Sequence, residues 1–321
     1  MQPWLIAVIV AAAVLFVFLL FLVLAFISEG FAFGKRCDKN PLLKYFTAEE
    51  FNLTAEPVST SRGLKGFIYR KNESNADKLI IFCHGMGPGH IAYTTEIAYF
   101  CTLGYTVLAL DSKGCNFSDG KNLKGMYSGV ETAKAAIDYA RANAYEKIYL
   151  VGHSWGAYSA LCASAERKVS AVVAISAPTS PSKTMQEGAV NVGMPRVIAA
   201  IFRPFWWIVN LFKFGAKGNA NAAKCARKNG IPTLLIHGDK DKIVSPSKAV
   251  YYKAEGENIT KLLVSGKAHN PYNTGNAEKL LSEIPQRLKK GAESIKDFDF
   301  KAATEEDKEV MQKMALFLQN N

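Results

Sequence analysis

Apolar and polar positions fall into three regimes along the chain. From Trp4 to Ile27 no side chain is charged, and those 24 residues as a helix would reach about 36 Å, enough to cross a hydrocarbon core. A single-pass transmembrane helix over residues 1–28 is the expectation. A cleaved signal peptide is the rival reading, but the run is long for one. Met1, Gln2 and Pro3 also carry no basic side chain, and no small-x-small site follows. Lys35, Arg36, Lys39 and Lys44 come soon after the run while nothing basic precedes it. The positive-inside tendency therefore places the globular part in the cytoplasm, with the extracellular face as the alternative.

Residues 29–60 read as a linker and lead-in, with Pro41 and Pro57 as breakers and Thr47, Ala48, Glu49 and Glu50 as a short capped helix start. Beyond it the pattern becomes regular. Strand-like runs occupy Leu64–Tyr69, Leu79–Cys83, Thr106–Leu110, Ile148–Val151, Ala171–Ile175, Thr233–Ile236 and Leu262–Val264. Helix-length stretches lie between most of them, at Ile91–Thr102, Val130–Ala142, Ala157–Ala165 and Pro246–Ala254. Continuous apolar strands alternating with helices predict an α/β core whose mostly parallel sheet is covered on both faces, spanning residues 61–178 and 231–321. Ligand chemistry then belongs at the carboxyl ends of the strands. The tail, Phe298–Asn321, reads as a closing amphipathic helix carrying Val310, Met311, Met314, Ala315, Leu316 and Leu318.

The alternation stops at residues 179–230. This insertion is apolar and aromatic at its centre, from Val197 and Ile198 through Phe202, Phe205, Trp206 and Trp207 to Phe212 and Phe214. Arg196, Arg203 and Asn210 fall seven apart on one stripe, which predicts an amphipathic helix pair broken at Pro204.

Charge changes the picture here. The chain carries 39 basic and 28 acidic residues, a net +11, and a balance of that sign suits an anionic partner such as nucleic acid or a membrane surface. The insertion alone holds eight basic residues against Glu187, so most of the excess sits in it. Aromatic side chains beside lysine and arginine suit a membrane interface or a greasy lid over a pocket, whereas a nucleic-acid groove would space its bases with polar residues. The expected partners are therefore a membrane and a small-molecule or lipid substrate, and no nucleic acid; nothing in the pattern sets an oligomeric state. The six cysteines, Cys37, Cys83, Cys101, Cys115, Cys162 and Cys225, show no CxxC pair and no regular spacing, so neither a zinc site nor a disulfide framework is indicated. Their lack of pattern agrees with a reducing compartment. Cys83 and Cys162 fall inside apolar runs and read as small buried hydrophobes.

The candidate chemistry begins where Ile148–Val151 breaks into Gly152, His153, Ser154, Trp155, Gly156, a GxSxG sequence. A strand that turns at once into a helix strains the serine and leaves no room for bulk on either side of it. Ala157, Ser159, Ala160, Leu161, Cys162, Ala163 and Ala165 follow as small, helix-compatible residues, as a helix packed closely on a sheet would need. Ser154 is the candidate nucleophile. It needs a base, and an acid that orients the base. Of the histidines His84, His90, His153, His237 and His269, only the last two lie downstream of Ser154. His237 closes a strand and reads as a turn-shaping residue, which leaves His269, in a loop after the last strand, as the base. For the acid, Asp239 and Asp241 compete in the loop after Thr233–Ile236.

At this loop the chain resembles the α/β-hydrolase superfamily, in particular bacterial serine hydrolases of the esterase, monoacylglycerol-lipase and S33-peptidase-like groups. Their acid loop commonly reads GxxDxxV, which Gly238, Asp241 and Val244 match. The resemblance covers roughly residues 60–290 and implies Asp241 as the acid, with Asp239 in reserve. His84, Gly85, Met86 and Gly87 look like the family's HGxG oxyanion loop, which implies the backbone N–H groups of Met86 and Trp155 as the oxyanion hole. Residues 111–118 resemble the family's DxRGxGxS loop, with Lys113 in place of arginine and Asn116 in place of the second glycine. In the family that loop is mainly structural, so Asp111 is expected to be structural.

Together these readings predict an α/β-hydrolase fold with an inserted helical cap and an N-terminal transmembrane helix. The expected activity is acyl-ester hydrolysis by Ser154, His269 and Asp241, with no metal and no organic cofactor. The aromatic cap near an anchor points to lipophilic acyl esters. The alternatives are an S33-like peptidase or acyltransferase on the same triad, or a non-catalytic membrane-associated binding protein of this fold.

Overall fold

The computed structural model describes residues 2–71 and 78–321. It opens with a 31-residue helix, α1 (Pro3–Phe33), long and apolar enough to cross a membrane. The helix runs past the expected boundary at residue 28, because the charge that should have ended it, Glu29, is buried against partners: Asn210 Nδ2 donates to Oε1 at 3.2 Å and Lys213 Nζ stands 2.9 Å from Oε2. Ala25, Glu29 and Phe33, four apart and therefore on one face of the helix, are its buried residues.

Eight strands form one sheet in the order β1-β2-β4-β3-β5-β6-β7-β8. They are β1 (Thr54–Ser59), β2 (Lys65–Arg70), β3 (Lys78–Cys83), β4 (Thr106–Leu110), β5 (Lys147–His153), β6 (Ala171–Ile175), β7 (Thr233–Gly238) and β8 (Ile259–Val264). From β4 through β3 to β8 every pairing is parallel, while β1 and β2 are antiparallel additions. Strand β1 corrects the reading of residues 29–60 as a mere lead-in. Pro57 cannot donate to a ladder, but on an edge strand it need not, and it lies opposite Phe67 at the sheet margin.

Alternate side chains of the inner strands feed two cores. Leu79 and Ile81 of β3 face α3 (Tyr127–Ala142) and α4 (Trp155–Ser164). Ile80 and Phe82 face α2 (Thr94–Thr102) and the C-terminal helix Lys308–Gln319. Two sequence expectations fail at the periphery. Pro246–Ala254 forms turns and not a helix. The tail is also not continuous: Phe300–Ala303 forms one short helix, and Asp307 starts the next by accepting the Val310 N–H.

The insertion leaves β6 at its carboxyl end and builds α5 (Pro181–Asn191), α6 (Arg196–Phe214) and α7 (Ala222–Lys228). The helix pair is present, but the break lies between Asn191 and Arg196, not at Pro204, which sits inside α6. A proline there leaves the Ala200 carbonyl without an intrahelical donor; both residues lie on the exposed side, where that costs least. The Arg196–Arg203–Asn210 stripe is not a uniform outer face either, since Asn210 is fully buried.

Helix α6 lies against α1. Phe18 packs on Phe205, Phe21 on Phe202 and Phe205, and Phe26 on Phe212, with ring centroids 5.1–6.3 Å apart. Trp206 Nε1 donates to Ser28 Oγ at 2.9 Å. At its base α1 meets the segment that leads into α3: Leu123 N–H donates to the Phe33 carbonyl at 3.0 Å. That segment belongs to the carboxyl edge of the sheet, so α1, the inserted helices and the end of β5 share one side of the molecule.

Candidate active site

Strand β5 ends at His153 and α4 begins at Trp155, leaving a single residue, Ser154, to make the turn. Its φ of 56° and ψ of −117° lie in territory that L-residues with side chains rarely occupy. What holds it there is crowding. A Cβ on Gly156 would stand 1.9 Å from the Cys83 carbonyl oxygen, and one on Gly152 would stand 2.6 Å from the Gly156 carbonyl. Only glycine at both positions lets strand, turn and helix approach this closely. The turn is fixed further by the Ser154 N–H, which donates to the Ile175 carbonyl at 2.8 Å.

The three residues singled out in sequence come together. Ser154 Oγ lies 2.9 Å from His269 Nε2, and His269 Nδ1 lies 2.9 Å from Asp241 Oδ2. Because a carboxylate only accepts, Nδ1 carries the imidazole proton and Nε2 is left to accept from the serine hydroxyl. The other Asp241 oxygen accepts the Ile243 and Val244 N–H groups at 2.8 and 2.9 Å. Burial alone would raise the Asp241 pKa, but the His269 bond and its charge, with the Val244 N–H, outweigh it and hold the carboxyl below its ordinary range. Asp239 faces elsewhere: its Oδ1 accepts the Gly266 N–H at 2.8 Å and closes the turn after β8. His237 is buried under the acid, its Nε2 3.9 Å from Asp241 Oδ2 and its ring stacked on Tyr251.

Trp155 follows the serine directly, and Met86 lies in the loop after β3. Trp155 is the first residue of α4, where helix geometry supplies no intrahelical acceptor for its N–H and the positive end of the dipole faces outward. Its indole donates to the Met126 carbonyl at 2.7 Å. The Met86 loop is held by His84, whose Nε2 accepts the Ser112 N–H at 3.0 Å, so Nδ1 bears the proton that bonds the Gly85 carbonyl at 2.7 Å. Burial lowers the His84 pKa and keeps that tautomer neutral.

Sequence reasoning did not find the residues that tie these parts together. His153 sits inside the GxSxG motif, and its Nε2 bonds the His269 carbonyl at 2.9 Å, so Nε2 carries its proton. Its Nδ1 accepts from Tyr93 Oη at 3.0 Å, and that oxygen in turn accepts the Gly85 N–H at 3.0 Å. One chain of bonds therefore runs from the Met86 loop through Tyr93 and His153 to the backbone of His269. Complete burial, with the His269 charge beside it, pulls the His153 pKa down to about 3, so the link stays neutral. Ser176 Oγ and Glu278 complete the support, bonding the His269 carbonyl at 2.8 Å and the Ala268 N–H at 3.0 Å. A signal for His153 existed in its place within the motif; Tyr93, sixty positions away, gave none.

Asp111 lies apart from the serine in a second histidine pair. Its Oδ1 accepts from His90 Nδ1 at 2.7 Å and from the His90 N–H at 2.8 Å, while His90 Nε2 meets Tyr69 Oη at 2.8 Å. Asn116, in the place of the resembled family's second glycine, has φ 31°, a positive-φ conformation that asparagine tolerates better than most residues.

A family model described as the alpha/beta hydrolase fold matches residues 78–194. No curated protein matches the chain in sequence. Among solved structures, an esterase of Pyrococcus furiosus is similar at 22% identity and a TM-score of 0.57, covering 80% of this chain and 98% of its own. An esterase of the bacterial hormone-sensitive lipase family is similar at 12% identity and TM-score 0.53, over 84% of each chain. The α/β hydrolase GrgF of Penicillium sp. sh18 is similar at 16% identity and TM-score 0.52, over 75% of this chain and 99% of its own. With its parallel sheet, its strained serine between β5 and α4, and this match over residues 78–194, the chain has the alpha/beta hydrolase fold.

Proposed function

We propose that the protein is a membrane-anchored serine hydrolase that cleaves carboxylic esters of lipophilic acyl groups. The observation that carries this reading is the line Ser154 Oγ, His269 Nε2, His269 Nδ1, Asp241 Oδ2, with both gaps at 2.9 Å and the serine held in a strained turn. As Ser154 Oγ attacks an ester carbonyl, its proton passes to His269 Nε2. Asp241 keeps the imidazole in the right tautomer and stabilises the cation that forms. The oxyanion is stabilised by the N–H groups of Met86 and Trp155, at the dipole end of α4. His269 then returns the proton to the leaving alkoxide, and water, deprotonated by the same nitrogen, releases the acyl group.

The anchor and cap argue for the substrate class. Residues 2–20 lie exposed along α1, and roughly 20 apolar residues span a hydrocarbon core. Phe18 and Phe21 belong to such a span and pack against α6, which would draw the cap down to the bilayer. Its outward face is apolar, with Val197, Ile201, Trp207 and Phe212 exposed, and Arg196 and Arg203 beside them suit the headgroup zone. An ester that partitions into the membrane would reach the carboxyl edge of the sheet directly. The basic cluster after α1 argues for a cytoplasmic catalytic domain.

A fluorophosphonate probe should label the folded protein and fail to label Ser154→Ala, whose kcat on a medium-chain ester should fall by about 10⁴–10⁶-fold at unchanged stability. Medium-chain acyl esters should outperform acetates. A folded wild type that resists labelling would overturn the catalytic reading, and a preference for acetate would overturn the substrate class.

A further inference from the structure

Spacing in the sequence gave no reason to pair the cysteines, yet the fold brings Cys37 and Cys115 together. Cys37 lies just beyond α1, and Cys115 lies in the loop that follows Asp111. The two residues form an isolated parallel β-bridge: Cys37 N–H donates to the Gly114 carbonyl at 2.8 Å, and Asn116 N–H donates to the Cys37 carbonyl at 3.1 Å. Bridged strands run about 4.7–4.9 Å apart, inside the usual Cα separation of about 4.4–6.8 Å for disulfide-linked residues. As bridge partners the two residues sit side by side on one ladder. Arg36 clamps the same two segments, donating from Nη1 to the Ser118 carbonyl at 3.0 Å and from Nη2 to the Asn116 carbonyl at 2.7 Å.

We propose that Cys37 and Cys115 are a thiol pair built to close into a reversible disulfide that fastens the exit of the anchor helix to the catalytic core. Cys115 is fully buried, whereas Cys37 is half-buried, so Cys37 is the thiol an oxidant meets first. The Cys115 thiol beside it holds the Cys37 pKa down, to about 7, which keeps a large fraction as the attacking thiolate near neutral pH. With a low-molecular-weight disulfide as oxidant, the Cys37 thiolate attacks one sulfur and expels the other as a thiolate. Cys115 then gives up its proton and attacks the Cys37 sulfur of the mixed disulfide, expelling the second thiolate. Two cysteine thiols become one disulfide, and one molecule of oxidant is reduced to two thiols.

Because the bond would join the segment after α1 to the loop after β4, it would fix in covalent form what the Arg36 clamp holds by hydrogen bonds. The pairing does not depend on whether Ser154 is a nucleophile, so failure of one reading leaves the other standing. The test uses the full chain in detergent micelles, treated with oxidised glutathione at neutral pH and then alkylated. A non-reducing peptide map should show the Cys37 peptide joined to the Cys115 peptide, the link should vanish with dithiothreitol, and Tm should rise by roughly 5–10 °C. Cys37→Ser should keep the Tm of the reduced wild type and lose both the link and the rise. Should that variant fold poorly, Cys115→Ala serves instead: its Cys37 alkylation should need a pH nearer the ordinary thiol value of about 8.5. Cys37 and Cys115 both still open to alkylation after prolonged oxidation, or glutathione left on Cys37 as a stable mixed disulfide, would overturn the proposal.

Discussion

Among the described residues, two histidine–aspartate pairs are joined by hydrogen bonds, and those bonds are nearly the same. In each, a fully buried carboxylate holds Nδ1 of an imidazole, at 2.9 Å for Asp241 and His269 and at 2.7 Å for Asp111 and His90, and a hydroxyl stands at Nε2. The differences lie around them. The hydroxyl of the second pair belongs to Tyr69, a β2 residue only 5% exposed, and His90 is buried completely. His269 keeps 12% of its side chain open, and its serine stands on a strained turn beside the first N–H of a helix. On the proposed reading, a relay of bonds alone is therefore insufficient for acyl transfer. It needs a nucleophile that substrate can reach and donors placed for the charge that develops. Burial turns the same relay into a bolt, and the Asp111 pair joins β2, the loop after β4 and the turn before α2.

The same substitution in each pair should separate the two roles most sharply. Asp241→Asn should lower kcat by about 10⁴-fold by favouring the wrong tautomer of His269, with the fold kept. Asp111→Asn should leave kcat within a few-fold at temperatures where the protein is folded, and should cost about 2–4 kcal/mol of stability because it breaks a buried pair. Burial alone would raise the Asp111 pKa, but His90 and His84 outweigh it and hold it below the ordinary value. The stability it supplies is thus complete above the unfolded carboxyl pKa of about 3.9 and lost as pH falls through the folded value. Chemical denaturation from pH 6 to pH 2 should show that acid limb shrinking in Asp111→Asn. An equal loss of kcat in both variants would erase the distinction.

A smaller effect should come from the chain of bonds that runs through Tyr93 and His153 to the proposed catalytic pair. Tyr93→Phe removes the hydroxyl between Gly85 and His153, and should lower kcat by roughly 10-fold through small displacements of the oxyanion loop and the base, with KM little changed. His153 adds a stability signature. Its folded pKa of about 3 lies below the unfolded value of about 6.5, so the unfolded chain binds more protons between those limits. Stability from this source is complete above about pH 6.5 and falls as pH drops toward 3; His153→Phe should flatten that slope in a pH series of denaturant midpoints.

The first pair was largely legible in the sequence and the second was not, for physical reasons. Ser154 announces itself because a strand-to-helix elbow admits only glycine beside it. His269 emerges by elimination among few histidines, whereas the choice of Asp241 over Asp239 depended on a resembled loop pattern and, in the structure, on which carboxylate the β7 turn points inward. The His90 pair joins residues 21 positions apart on either side of His90, with no periodicity to expose it. The fold shows the same division. Buried strands such as Thr106–Leu110 and Ala171–Ile175 read directly from their apolar runs, and their limits agree with β4 and β6. Strand β1 hid because Val58 is its only buried residue. The supposed break at Pro204 failed because a helix tolerates one lost hydrogen bond on its open face. Glu29 hid the true end of α1, since a charge ends an apolar run in sequence but not in a structure that supplies Lys213 and Asn210.

The smallest predicted effect concerns the loop that walls in the second pair. Phe117 N–H donates to Asp111 Oδ2 at 3.1 Å, and the preceding Asn116 must take positive φ for it to do so. Asn116→Gly would relieve a modest backbone cost in the folded state while adding conformational freedom to the unfolded one, terms of similar size and opposite sign. Stability should therefore change by less than about 0.5 kcal/mol. Asn116→Val, which a positive φ strains far more, should cost about 1–2 kcal/mol, read as a shift in denaturant midpoint at constant m-value. Neither variant should touch kcat on a medium-chain ester, because the loop acts on Asp111 and not on Ser154. If Asn116→Val lowered kcat in proportion to stability, the two histidine pairs would have to be mechanically coupled, and the bolt would count as part of the catalytic machinery.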